Sequence, residues 1–200
     1  MRVLGIDPGL SRCGWAVLEQ AGGPVKALGY GTVVTKGEDV PGRLATLAAR
    51  LRGVIAEHRP EQVAIERLFV NANVRTAMTV GQASGVALLL AAEHGLPLST
   101  YTPSQVKQAV TGTGTAPKEQ VGYMVRAILR LEAIPRPADT ADAIAVALCH
   151  LHHAGTAAAF GQRPGTGTGA PGGRGSGALS AATAADWLAR AAPTSPGLPR

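Results

Sequence analysis

The rhythm of apolar and polar positions changes partway along the chain. Three short apolar-rich runs come first: Arg2–Asp7, Gly14–Glu19 and Ala27–Thr35. Pro8-Gly9 and Gly22-Gly23-Pro24 interrupt them, so they read as strands joined by turns. From Pro41 the period lengthens. Leu44, Leu47, Ala48, Leu51, Val54 and Ile55 recur at helical spacing and predict a helix from Pro41 to about His58. Gln62–Glu66 follows as a short buried strand, residues 73–94 as a long helix, and Leu98–Tyr101 as a further strand. Pro103–Thr111 and Pro117–Leu131 read as helices separated by the loop Thr111-Gly112-Thr113-Gly114-Thr115, and Asp139–Leu151 as a last helix. A run of strands followed by strand–helix alternation implies an α/β fold: a mixed five-stranded sheet with helices on both faces.

Four acids fall where this pattern is most apolar. Asp7 ends Val3-Leu4-Gly5-Ile6, and Glu66 ends Val63-Ala64-Ile65. Asp139 and Asp142 open the run Ala143 to Leu148. A carboxylate at the mouth of a buried element is costly unless its charge is compensated. Taken singly, each has an ordinary explanation. Asp7 suits a turn before Pro-Gly. Asp139 suits a helix N-cap, with Asp142 stabilised by the helix dipole. Glu66 has less excuse. Together the four suggest a shared hard cation, because the i, i+3 spacing puts Asp139 and Asp142 on one helix face. An all-oxygen set favours Mg²⁺ or Mn²⁺ over zinc, for which no His/Cys set has the right spacing. His150, His152 and His153 read as residues at a helix C-terminus, where the dipole favours them. Two such ions about 4 Å apart are a common device for in-line displacement at a phosphodiester.

Composition narrows the rest. Two hundred residues suffice for one well-cored domain. The apolar stretch Val86 to Ala92 is only seven residues, far short of the roughly 20 of a membrane span. No signal peptide is evident in the opening residues, so a cytoplasmic location is expected. Cys13 and Cys149 lie alone in apolar segments and read as reduced, buried thiols. The net charge is +6, which suits a nucleic-acid partner without requiring one. Residues 161–180 hold eight glycines and two prolines without periodicity. The expected organisation is therefore a domain over 1–154 and a flexible tail over 155–200. The helix at 73–94 is apolar on most of its circumference, and Leu88-Leu89-Leu90 alone sweep about 200°. A sheet covers one face only. Small residues at Gly81, Ala83, Ser84, Gly85 and Ala87 would allow close approach, so a homodimer through this helix is expected. The competing account is burial beneath the helix at 43–58 of the same chain.

Several segments together resemble the RuvC family of Holliday-junction resolvases. They are Gly5-Ile6-Asp7-Pro8-Gly9, Ala64-Ile65-Glu66, Gly81 to Ala87, Val106-Lys107-Gln108 with Gly112 and Gly114, and Asp139-Thr140-Ala141-Asp142-Ala143. They occur in family order over residues 1–153. The resemblance implies an RNase H-like fold and a homodimeric Mg²⁺-dependent endonuclease with two ions per site. Such an enzyme nicks two strands of a four-way junction symmetrically, leaves 5′-phosphate ends, and works with the RuvAB branch-migration motor. It maps the catalytic and metal-binding acids onto Asp7, Glu66, Asp139 and Asp142.

The resemblance also implies DNA contacts. Phe69, three residues after Glu66, would stack on junction bases. Lys107 and Lys118 match basic positions near the scissile phosphate. Lys118 also opens a helix whose first amides could meet a phosphate. Arg67 and Arg75 are further phosphate contacts, with Arg12 weaker. Two departures stand out: Thr113 is a small polar residue where many relatives carry a bulkier one, and Pro117 replaces an acid common before the lysine. Three rival readings remain: another nuclease of the same fold, a non-catalytic junction-binding scaffold, which should have lost at least one of the four acids, and an actin-like or sugar-kinase ATPase domain. The last shares the opening strand–Asp–x–Gly pattern but needs a second lobe, for which 200 residues leave no room.

Overall fold

The computed structural model describes residues 1–37, 39–67 and 74–159. The strands are β1 (Arg2–Asp7), β2 (Arg12–Glu19), β3 (Lys26–Val34), β4 (Gln62–Glu66) and β5 (Leu98–Tyr101). The helices are α1 (Val40–His58), α2 (Val74–Glu93), α3 (Pro103–Thr111), α4 (Lys118–Leu129) and α5 (Ala138–Ala159). One sheet holds all five strands in the order β3-β2-β1-β4-β5. The first three pair antiparallel, whereas β4 joins β1 and β5 joins β4 in parallel. No helix of the described residues is long and apolar enough to cross a membrane.

Local chemistry sets the helix ends. The Asp39 side chain accepts from the Gly42 amide, and Pro41 fits the first turn of α1. A capping box between Thr102 and Gln105 starts α3, and Gly112, at φ +81°, ends it.

Alternation along the strands builds two core layers. Val3, Ala64 and Tyr101 pack with Val106, Val121, Ile144 and Leu148, beneath α3, α4 and α5. Leu4, Ile6, Val63 and Ile65 pack with Leu47, Leu51, Ala87 and Leu90, beneath α1 and α2. Cys13 and Cys149 are buried and free.

Two expectations need correction. α5 does not stop at Leu151 but runs to Ala159, past the composition change at position 155. His150, His152 and His153 therefore sit inside a helix rather than at its C-terminus. His150 is buried, because it falls on the face that packs against the sheet. Burial of α2 beneath α1 is partial. Ala83, Ala87, Leu90 and Ala91 are covered, while Met78, Leu88 and Leu89 are 62%, 48% and 56% exposed. The tail from residue 160 lies outside the described residues.

Candidate active site

Asp7 and Glu66 end adjacent parallel strands. Pairing of Ile6 with Ile65 leaves the two acids level. Both face α5. Gly5, two residues before Asp7, lies against Ala143 and Ala147 of α5 so closely that a Cβ would not fit. Ala64, two before Glu66, belongs to the same core layer. The start of α5 is held equally tightly, since Gly14 of β2 has no room for a Cβ beside the Asp139 backbone. Asp139 lies in the first turn of α5, and Asp142 follows one turn later. The helix begins at Ala138, so Asp139 is inside the first turn and not the expected N-cap. Its charge still meets the positive end of the helix dipole.

The electrostatics tie the four acids into one group. Burial raises the Asp7 carboxyl to about 7, and the charges of Glu66, Asp142 and Asp139 push the same way. Burial also raises Glu66, followed by Asp142, while Lys118, Lys107 and a hydrogen bond with Asp7 oppose the rise. Burial is thus the main cause of both shifts, and the hydrogen bond from Asp7 only moderates the rise at Glu66. Lys118 Nζ lies 3.1 Å from Asp142 Oδ2, and Arg12 Nε lies 2.9 Å from Asp139 Oδ2. The Lys118 ammonium is held above its usual range by Asp142 first, with Asp7 and Glu66 adding to it.

This set fits a hard divalent cation in donor type and charge. It offers only carboxylate oxygens, and two of its members, Asp7 and Glu66, are half-buried without a full counter-charge. Among the described residues, no three acid, His or Cys side chains already converge as a ligand set. The cations Arg12 and Lys118 hold the helix acids instead. A metal ion here would take the place of the Asp7 proton and compete with both cations.

The remaining candidates divide. Lys107, half-buried on α3, and Lys118, the first residue of α4, both lie close enough to act on Glu66. Arg67 follows Glu66 directly, and its guanidinium donates to Thr100 Oγ1 at 3.3 Å. Phe69 lies outside the described residues, as does the side chain of Arg75. Sequence reasoning missed the contact of Arg12 with Asp139, for these residues stand 127 positions apart. It also missed a polar network behind the site, formed by Gln62, Tyr101 and His150. Its one trace in the sequence is an amide opening an otherwise apolar strand.

Comparison with known proteins agrees with this geometry. The family model described as "Crossover junction endodeoxyribonuclease RuvC" matches residues 3–150. A crossover junction endodeoxyribonuclease RuvC from Salinispora arenicola is 54% identical over 158 residues, covering 78% of this chain and 90% of the relative. The solved structure of Thermus thermophilus RuvC in complex with Holliday junction substrate is similar at a TM-score of 0.73. It is 42% identical, over 77% of this chain and 94% of that one. The yeast mitochondrial Holliday junction resolvase Ydc2 matches at a TM-score of 0.53 with 16% identity, over 76% of this chain and 79% of that one, which speaks for the RNase H-like fold alone.

Proposed function

The chain belongs to the RuvC family of crossover junction endodeoxyribonucleases, and we propose that it cuts four-way DNA junctions with Asp7, Glu66, Asp139 and Asp142. The observation that carries this reading is the level pair Asp7 and Glu66, facing the two acids of α5 across a seam that leaves no room for a Cβ at Gly5 or Gly14. Nucleases of this family are metal-dependent. The ion we infer is Mg²⁺, two per site, with Mn²⁺ able to substitute. Bound there, such ions would activate a water and stabilise the leaving oxygen.

The residues of the chain have distinct tasks in this reading. Asp7, Glu66, Asp139 and Asp142 would hold the ions, with Asp7 deprotonated and the helix acids released from Arg12 and Lys118. That frees two cations beside the acids just where a phosphate must approach, and Lys118 exchanges Asp142 for it. Lys107, Arg67 and Arg75 hold neighbouring phosphates, and Phe69 stacks on bases at the crossover. Symmetric nicks follow if two such sites face one junction, and displacement of the 3′-oxygen by water leaves the 5′-phosphate ends.

A homodimer through α2 would supply the second site. Val74, Met78, Gly81, Gly85, Leu88 and Ala92 are all exposed and spaced alternately by four and three, the seam of a helix that packs on a like helix. A Cβ added at Gly81 or Gly85 would meet nothing, so the backbones have room to approach. In the cytoplasm, such a dimer would act on junctions presented by the RuvAB motor, with cleavage assigned to residues 1–154 and none to 155–200. The direct test is cleavage of a synthetic mobile four-way junction beside linear duplex, with and without Mg²⁺. Paired nicks in the junction alone, only with Mg²⁺, are expected. Equal cutting of duplex would reject junction specificity.

A further inference from the structure

The seam between α5 and β4 is smooth along most of its length. Ala64 on the strand, Gly5 beside it, and Ala143 and Ala147 on the helix give close but non-directional contact. Along β4 itself such a surface gives no directional contact to fix how far the helix slides, although Thr140 of α5 bonds Thr32 of β3 at 2.8 Å near the start of the helix. Yet that offset sets the distance between Glu66 and the acids of α5. A residue that can fix it against β4 stands at the other end of the seam. His150 lies eleven residues after Asp139 on α5, about 16 Å along the helix. Gln62 lies four residues before Glu66 on β4, about 13 Å along the strand and on the same face. The acids and this second contact thus bracket the seam.

His150 is 1% exposed and uses both ring nitrogens. Nε2 lies 2.5 Å from Gln62 Oε1, and Nδ1 lies 2.9 Å from the Tyr101 hydroxyl. Burial first, then the nearby His153, lowers the imidazole to about 4, so the ring is neutral. Burial pushes the Tyr101 hydroxyl up to about 12, so it keeps its proton. With the Gln62 amide oxygen towards the ring, only one pattern satisfies every atom. Tyr101 O–H donates to Nδ1, and Nε2–H donates to Gln62. Tyr101 itself pairs in register with Glu66, and its carbonyl accepts from the Arg67 amide at 2.6 Å. One ring on α5 therefore reaches two neighbouring strands, and the nearer of them carries Glu66.

We propose that His150 is a positioning residue for the acid cluster: by fastening α5 to Gln62 it sets the spacing of Asp139 and Asp142 from Glu66. This rests on the reading of the four acids as one metal site. The bond to Gln62 holds the spacing, and the bond to Tyr101 orients the ring.

Two near-isosteric variants separate these bonds. In His150→Gln the side-chain amide can take the place of Nε2 and keep the bond to Gln62. In His150→Asn it can take the place of Nδ1 and keep only the bond to Tyr101. Mn²⁺ binding to the DNA-free protein, followed by electron paramagnetic resonance, reads the cluster without any cleavage. For His150→Asn we expect Mn²⁺ affinity to fall by about tenfold or more, the range seen when residues supporting metal ligands are removed. Single-turnover junction cleavage should fall alongside, while junction binding in Ca²⁺ stays within about twofold. His150→Gln should recover most of the loss. Should His150→Asn fail to fold, Gln62→Leu removes the same bond from the strand side and carries the same expectation. The proposal is overturned if the Asn and Gln variants bind Mn²⁺ alike, or if Mn²⁺ affinity stays at the wild-type level in the variant that lacks the Gln62 bond. Failure of the wild-type protein to bind Mn²⁺ would instead strike at the metal site itself.

Discussion

Asp7 and Glu66 end buried strands, whereas Asp139 and Asp142 stand at the start of a helix. The helix acids have several sources of compensation. The helix dipole favours Asp139, Arg12 lies 2.9 Å from it, and Lys118 lies 3.1 Å from Asp142. The strand acids have much less. Asp7 has no ion pair among the described residues, and its carboxyl is driven up to about 7, first by burial and then by its three acidic neighbours. The strand pair therefore supplies the demand for a cation, and the helix pair supplies adjustable oxygens. This division can be broken experimentally, starting with its most demanding member.

Asp7→Asn should remove the greatest effect. Loss of one ligand at a metal-assisted hydrolysis is worth several kcal/mol, so cleavage should fall by on the order of 10³-fold. Junction binding in Ca²⁺ should survive. The metal-free protein should be no less stable than wild type, since a group that resists ionisation has been replaced by a neutral amide. Persistent cleavage would mean that the strand pair does not carry the demand.

The pH dependence of metal-free stability is the next test. A raised carboxyl binds its proton more tightly in the folded state. Its contribution is fully present below the ordinary value of 3.8 and is lost as pH rises towards about 7. His150 works in the opposite direction. Lowered from 6.5 to about 4, it costs stability as pH falls through that window. The comparison must therefore be between wild type and Asp7→Asn. In EDTA, the stability of wild type relative to the variant should decline between pH 5 and pH 7.5. Metal affinity should rise over the same interval, because loading expels the proton. Parallel stability curves would remove Asp7 from this account.

Lys118→Ala tests the helix side. If Lys118 exchanges Asp142 for a phosphate, the logarithmic salt slope of junction binding should flatten by about 0.9, the value for one contact. An unchanged slope would confine Lys118 to its ion pair.

How much of this was legible in the sequence follows from what each signal depends on. The strand acids were conspicuous because a charge closing Val-Ala-Ile breaks a local pattern. The sheet and its flanking helices were legible for the same reason, as periodicity is a local property. The end of α5 was missed because the composition shift at Gly155 looks like a stop, while the helix continues four residues beyond it. His150 was misjudged with it, since its burial depends on which face meets β4 and β5. Contacts such as Arg12 with Asp139 depend on registry between remote elements, and no local pattern encodes them.

Arg12→Gln is the smallest of these effects and the sharpest test of the helix pair. The two side chains are 52% and 27% exposed, and exposed pairs contribute about 0.2–1 kcal/mol. Stability should therefore change little. Metal binding should change in the opposite sense from Asp7→Asn. If Arg12 merely parks Asp139, a cation must displace it, and its removal should raise Mn²⁺ affinity by up to about fivefold at low salt, the equivalent of ~1 kcal/mol. At about 0.5 M salt the gain should fade, because screening already weakens the pair. A loss of affinity would show that Arg12 holds Asp139 in place for the ion. The helix acids would then be fixed ligands, and the contrast with the strand acids would be one of burial alone.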